Sequence, residues 1–185
     1  MEYLRLTWED IERHCEVLYR RIKQRGFKPE VIVGIARGGW VPARILSDLL
    51  DIDELFTMRI KFYTSIDERA KKPMIVYPLP LNLRGRRVLL VDDIADTGES
   101  LELAQSHLRE NQAGEILTVT IVKKPRSKVI PDLYGVETSA WVVFPWEISE
   151  TIKHIIKRGG NEGEILLELE RAGVKDSYMR RMEGG

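Results

Sequence analysis

Residues 88–91, Val-Leu-Leu-Val, run without a polar break into Asp92-Asp93, and beyond them stand Asp96, Thr97 and Gly98. A short run that is apolar at every position fits a strand buried on both faces, and such strands belong to parallel sheets covered by helices. The surrounding chain supports that reading. Val31–Ile35, Ile116–Val122 and Ala140–Phe144 are further short buried strands, and Leu55–Tyr63 alternates as a strand. Thr7–Arg25 reads as an amphipathic helix: Thr7 caps it, Glu9 and Asp10 suit its first turn, and Ile11, Cys15, Leu18 and Ile22 recur at helical spacing. Helices are also expected over Val41–Leu50, with Pro42 in the first turn, and from Glu99 to Asn111. Thr64–Pro73 reads as an exposed loop, Val76–Pro80 as a short extended piece, and Asn82–Gly85 as a turn. Strands alternating with helices give an α/β fold with a central, mostly parallel sheet flanked by helices. The expected organisation is one domain over residues 1–147 and a helical C-terminal appendage over 148–185, interrupted at Gly159-Gly160.

Composition narrows the function classes. With 185 residues, 43% of them hydrophobic and 31% charged, the chain can bury one core. The 29 basic and 29 acidic side chains cancel, whereas a nucleic-acid binder usually carries a basic excess. No apolar run approaches the roughly 18 residues of a membrane span, and MEYLRLTWED, with neither a basic start nor an apolar core, does not read as a secretory leader. A single cysteine, Cys15, excludes an internal disulfide and suits a reducing, cytoplasmic setting.

The chemistry concentrates in Val88–Ser100, VLLVDDIADTGES. Ligands of open α/β sheets bind at the carboxyl ends of strands, and main-chain N–H groups at a following helix start can cradle a phosphate. Thr97 and Ser100 add hydroxyls there, and Gly98 lets the backbone approach closely. Carboxylates repel phosphate but suit ribose hydroxyls or a hard cation. One loop thus offers a phosphate cradle beside hydroxyl acceptors, the outline of a ribose phosphate. The competing reading is that Asp92, Asp93 and Asp96 only cap the next helix. Ala36-Arg37-Gly38-Gly39 also follows a buried strand, and its glycines with the fixed charge of Arg37 suit a second phosphate group, although a simple turn has the same composition.

The Val88–Ser100 string closely resembles the motif by which type I phosphoribosyltransferases bind phosphoribosyl pyrophosphate (PRPP). The resemblance implies that Asp92 and Asp93 hold the ribose hydroxyls and that Ile94, Ala95, Asp96, Thr97, Gly98, Glu99 and Ser100 wrap the 5-phosphate. Asp96 would be the general base near N7 of a purine. Glu99 departs from the family pattern and is expected to point outward, contributing only its N–H. Ala36–Gly39 resembles the family's pyrophosphate loop, which commonly carries a non-proline cis peptide where Ala36-Arg37 stands; Arg37, Gly38 and Gly39 would bind there. TIVKKPRS (Thr120–Ser127) and WVVFPWE (Trp141–Glu147) resemble the base-binding segments of 6-oxopurine enzymes, particularly xanthine-guanine phosphoribosyltransferases. Lys123 would donate to the purine 6-oxygen, Trp141 would stack on the ring, Val142 would give backbone contacts, and Glu147 would stand where Asp is usual. The implied cofactor is Mg²⁺, with Asp93 and Glu147 as its candidate protein contacts. PRPP and a purine base are the implied partners, in a homodimer or higher homo-oligomer, with the Tyr63–Lys72 loop as a lid.

The resemblance spans residues 30 to 147 and leaves the first helix and the last forty or so residues unexplained. His14, His107 and His154 lack metal-ligand spacing and read as structural. Neither a G-x-x-x-x-G-K-[ST] loop nor a G-x-G-x-x-G fingerprint is present. Phospho-acceptor receiver domains also carry paired acids, but after the first strand and without Asp-Thr-Gly. Two alternatives stay open: a regulatory PRPP-binding protein of the same fold, and transfer to another base such as orotate, adenine or uracil.

Overall fold

The computed structural model describes residues 1–64, 71–79 and 81–183. The chain forms two compact units, Glu12–Thr138 and a second made of Met1–Ile11 with Ser139–Gly185.

The larger unit is built on a six-stranded sheet in the order β4-β3-β2-β5-β6-β7. Its strands are β2 (Val31–Ala36), β3 (Leu55–Thr64), β4 (Lys71–Tyr77), β5 (Arg87–Ala95), β6 (Glu115–Lys123) and β7 (Leu133–Glu137). All neighbours are parallel except β3 and β4, which form an antiparallel pair. Helix α2 (Trp40–Leu50) joins β2 to β3, and α3 (Glu99–Glu110) joins β5 to β6. Val31, Val33, Val88, Leu90, Leu101, Ala104 and Leu108 share one core, as expected of β-branched strands covered by a helix. Helix α1 (Trp8–Gln24) starts as its sequence implies: the Asp10 N–H donates to Thr7 Oγ1 at 3.1 Å, and Thr7 donates back to the Asp10 carboxylate. Ile11, Cys15, Leu18 and Ile22 are its fully buried stripe.

The smaller unit pairs β1 (Tyr3–Arg5) with β8 (Trp141–Val143) in a two-stranded parallel sheet, followed by α4 (Ile148–Arg158), α5 (Glu162–Arg171) and α6 (Lys175–Glu183). Its core joins Val143 to Ile152, Ile155, Leu169, Ala172 and Val174. Helix α5 opens on a capping box between Asn161 and Glu164.

Four local features go beyond or depart from the sequence reading. Ala140–Phe144 is not a strand of the main sheet; β8 takes β1 as partner. The sixth strand of the main sheet is instead β7, whose half-exposed edge position leaves little apolar pattern to read. Lys71–Tyr77 is a strand, not the end of a loop: it lies at a sheet edge, where Pro73 removes no obligatory ladder bond. Strand β5 continues through Asp92 and Asp93 to Ala95, with Ile94 and Ala95 in register with Val122 and Lys123, so the turn is confined to Asp96–Gly98. The expected lid falls mainly on residues 65–70, which lie outside the described residues, although Tyr63 and Lys72 pair across β3 and β4.

Candidate active site

Strand order places the site. From β2 the chain crosses by α2 to β3 on one side, and from β5 it crosses by α3 to β6 on the other. Between β2 and β5 the winding reverses, and such a switch point opens a crevice at the strands' carboxyl ends. The loops that follow these two strands are the two singled out in the sequence.

The peptide Ala36-Arg37 is cis. Gly38 follows with its Cα pressed against β5: a β-carbon there would lie 1.7 Å from Asp93 Oδ2. The Asp93 carboxylate therefore rests directly on the loop after β2, and only glycine leaves room for it. Asp92 and Asp93 are both buried, at 7% exposure. Asp92 Oδ1 accepts the Asp93 N–H at 3.0 Å, which ties the two acids together at the strand end.

The Asp96–Gly98 turn is braced from one side. Lys124 and Lys128 donate their main-chain N–H groups to the Ala95 and Thr97 carbonyls at 2.9 and 3.0 Å. Gly98 has φ +88°, and a β-carbon on it would sit 2.6 Å from the Val129 nitrogen, so conformation and space both demand glycine. Gly98 precedes α3, whose first turn has no side-chain cap. An uncapped helix start with Thr97 and Ser100 beside it is suited to an anion. Glu99, the departure from the family pattern, is half-buried and gives its N–H to Thr97 Oγ1 at 3.4 Å.

Asp96 is engaged. Arg126 grips it through Nη2, at 2.5 and 2.7 Å from the two carboxylate oxygens, and through Nε at 3.0 Å. Both side chains are largely exposed, so the pair contributes only about 0–1 kcal/mol and exchanges readily for a ligand. Lys124 beside it is buried; desolvation lowers its pKa, partly offset by the Asp96 charge.

Lys123 ends β6 in register with Ala95 on one side and Glu137 on the other. Its ammonium is buried, 2.7 Å from Glu137 Oε2 and 5.3 Å from the Tyr134 ring centroid. The carboxylate and the ring face compensate a charge that would otherwise be costly to bury.

The remaining candidates lie in the smaller unit. Trp141 opens β8, its N–H bonded to the Glu2 carbonyl at 2.8 Å, and its indole stacks on His154. Val142 is buried in register with Leu4. Glu147 is the residue before α4, whose Thr151 N–H bonds to its carbonyl.

With this geometry in view, comparison with known proteins is decisive. Residues 6–152 match the phosphoribosyl transferase domain. The chain belongs to the phosphoribosyltransferase family. It is 32% identical over 152 residues to a xanthine-guanine phosphoribosyltransferase of Cereibacter sphaeroides, covering 78% of this chain and 86% of that one. The crystal structure of a purine phosphoribosyltransferase from Pyrococcus horikoshii superposes with a TM-score of 0.74 at 40% identity, covering 79% of this chain and 95% of that one. A Neisseria gonorrhoeae protein crystallised with bound ppGpp superposes with a TM-score of 0.71 at 26% identity, covering 79% of this chain and 89% of that one.

Two partners of the candidate residues in this phosphoribosyltransferase escaped the sequence reading, Arg126 on Asp96 and Glu137 on Lys123, while His154, read there as structural, stacks on Trp141. The first lies within TIVKKPRS, where only Lys123 had been singled out. The second is visible only once β7 is placed beside β6. Among the described residues no group of three or more His, Cys, Asp or Glu side chains is placed to hold a metal ion. The Asp93 carboxylate, seated on the loop after β2, nonetheless suits a hard cation that takes one or two protein oxygens and fills its shell with water and phosphate.

Proposed function

We propose that this phosphoribosyltransferase transfers the 5-phosphoribosyl group of PRPP to a 6-oxopurine, guanine, xanthine or hypoxanthine, releasing pyrophosphate. The observation that carries the reading is the Asp93 carboxylate seated on Gly38, which joins an acidic strand end to the loop holding the cis Ala36-Arg37 peptide. A carboxylate against a phosphate-type loop suits a ligand that presents hydroxyls and phosphates together. The xanthine-guanine names of relatives near 30% identity support a 6-oxopurine acceptor.

In this reading a purine nitrogen attacks C1 of the ribose as the bond from C1 to the pyrophosphate oxygen breaks, with inversion. Asp92 and Asp93 hold the ribose hydroxyls. The main chain of Asp96–Ser100 holds the 5-phosphate, and Arg37 stabilises the charge gathering on the departing pyrophosphate. Asp96 accepts the proton leaving the purine, once Arg126 yields one carboxylate oxygen. Lys123 donates to the 6-oxygen; an ammonium has no acceptor for a 6-amino group, which disfavours adenine. Trp141 supplies a stacking face, with backbone contacts from Val142. Mg²⁺, when bound, would neutralise pyrophosphate charge, with Asp93 as its candidate contact in the larger unit. The protein's own contribution is chiefly orientation.

Calorimetry with PRPP, with and without Mg²⁺, tests the binding half; Asp96→Ala tests the chemistry. Asp96→Ala should lower turnover by about 10²–10⁴-fold while PRPP affinity stays close to that of the native chain. Equal losses in both would remove the base role. Absence of PRPP binding would sink the reading altogether, and binding without turnover on any base would favour a regulatory protein.

A further inference from the structure

Trp141 has two ring faces, and one is already covered. The His154 imidazole lies against the indole with centroids 4.6 Å apart and planes inclined by 17°, a stacked arrangement. His154 does not swing freely. It sits on α4 between Ile152 and Ile155, which are only 3% exposed and pack with Val143 of β8. Strand β8 is itself fixed, since the Trp141 N–H bonds to Glu2 and the Leu6 N–H to Val143. Strand, helix and both rings belong to one compact unit. Trp141 nevertheless remains 39% exposed, so indole surface is left for a ligand. The match to the family runs to residue 152, within α4, the helix that carries His154.

We propose that His154 is a positioning residue for the purine: it backs the Trp141 indole and fixes the plane on which the base stacks, and this is what α4 contributes to the reaction. The proposal rests on the reading of Trp141 as the base-stacking residue. A half-exposed tryptophan must surrender rotamer freedom when a ligand stacks on it, and that loss subtracts from affinity. A ring held on its far face has surrendered that freedom beforehand. With the base on the face that His154 leaves, the effect appears in base affinity and not in the bond-breaking step. An aromatic pair of this kind contributes about 0.5–1.5 kcal/mol, which corresponds to roughly two- to tenfold in affinity.

The test compares His154→Ala, His154→Phe and Trp141→Ala in steady-state assays, varying guanine at saturating PRPP and then PRPP at saturating guanine, with thermal unfolding recorded for each. His154→Ala should raise the guanine KM by about two- to tenfold and leave kcat and the PRPP KM unchanged. His154→Phe, which restores a flat ring, should recover most of the loss. Unchanged guanine KM in His154→Ala, with a raised KM in Trp141→Ala, would overturn the proposal and leave Trp141 in its role. Unchanged KM in both would remove the stacking role of Trp141, and the proposal with it. A lowered guanine KM in His154→Ala would mean that the imidazole occupies the base's own place. Parallel losses in kcat, both KM values and stability, not recovered by phenylalanine, would mean that His154 only holds the fold.

Discussion

Gly38→Ala is the smallest change that should separate the site from the fold. The added β-carbon would lie 1.7 Å from Asp93 Oδ2 and 2.3 Å from its Cγ. Non-bonded heavy atoms settle at about 3.5–4 Å, so the carboxylate must retreat by about 2 Å. Asp93 is buried at the end of β5 and has one short side chain with which to do so, which means leaving the loop. A misplacement of about 1 Å in a positioning group can cost about 10²-fold, so kcat/KM for PRPP should fall by at least about 100-fold, equivalent to roughly 2.7 kcal/mol. Stability should fall by no more than about 1–3 kcal/mol, because a side chain yields rather than the backbone. Gly39→Ala is the contrast: its β-carbon would meet the Val91 and Ile35 carbonyl oxygens at 2.6 and 2.7 Å and the Asp92 Cα at 2.8 Å. Those atoms are backbone of the central strands, so this variant should lose stability first. Calorimetry with PRPP, initial rates and denaturant unfolding of both variants decide the matter. Gly38→Ala with native PRPP kinetics would refute the assignment of Asp93 to the substrate, as would a collapse in stability equal to that of Gly39→Ala.

Three further outcomes follow from ionisable groups. Glu137→Gln leaves the buried Lys123 ammonium without its carboxylate; because Glu137 is 41% exposed, water softens the loss to about 1–2 kcal/mol, read by denaturant unfolding, and the KM for guanine should rise more than that for PRPP. Tyr3 donates to Glu168 at 2.7 Å, and its pKa is raised to about 12 by burial first and by the Glu168 hydrogen bond and charge after that. The unfolded phenol titrates near 10, so this contribution to stability should be complete below about pH 10 and disappear as the pH rises to 12. Glu168 is held below the usual carboxylate range, chiefly by the same hydrogen bond; its contribution is present above about pH 4.3 and is lost as the pH falls through its lowered folded value. Unfolding curves across pH should show both edges, and Tyr3→Phe should flatten them.

What the sequence made legible is what lies contiguous along it. The apolar run, acids, turn and helix start of Val88–Ser100 are neighbours in the chain, so one window carried the central strand and its loop. The same holds for Thr7 and Asp10 at the start of α1. Partner choice was not local. Trp141–Val143 has the pattern of any buried strand, but the strand beside it comes from Tyr3–Arg5, a segment too short to show periodicity. Leu133–Glu137 faces solvent on one edge and mixes Gly and Glu into its apolar positions, so it carried no strand signal. The grip of Arg126 on Asp96 spans 30 positions and that of Lys123 on Glu137 spans 14; neither has a signature until the strands are in register. Cys15 was readable only as unpaired; its burial, which with the nearby Glu12 charge pushes the thiol up to about 12, is a property of the folded stripe of α1.

The central claim is transfer of phosphoribosyl to a 6-oxopurine, and the most direct measurement is turnover on a panel of bases. Purified protein, PRPP and Mg²⁺ are incubated separately with guanine, xanthine, hypoxanthine, adenine, orotate and uracil, and nucleoside monophosphate and pyrophosphate are quantified together. The account predicts equimolar formation of both products with one or more of the first three bases, and little with adenine, because Lys123 offers only donors. Preference for adenine, orotate or uracil would contradict the assignment of Lys123. PRPP binding without turnover on any base would contradict the enzyme itself.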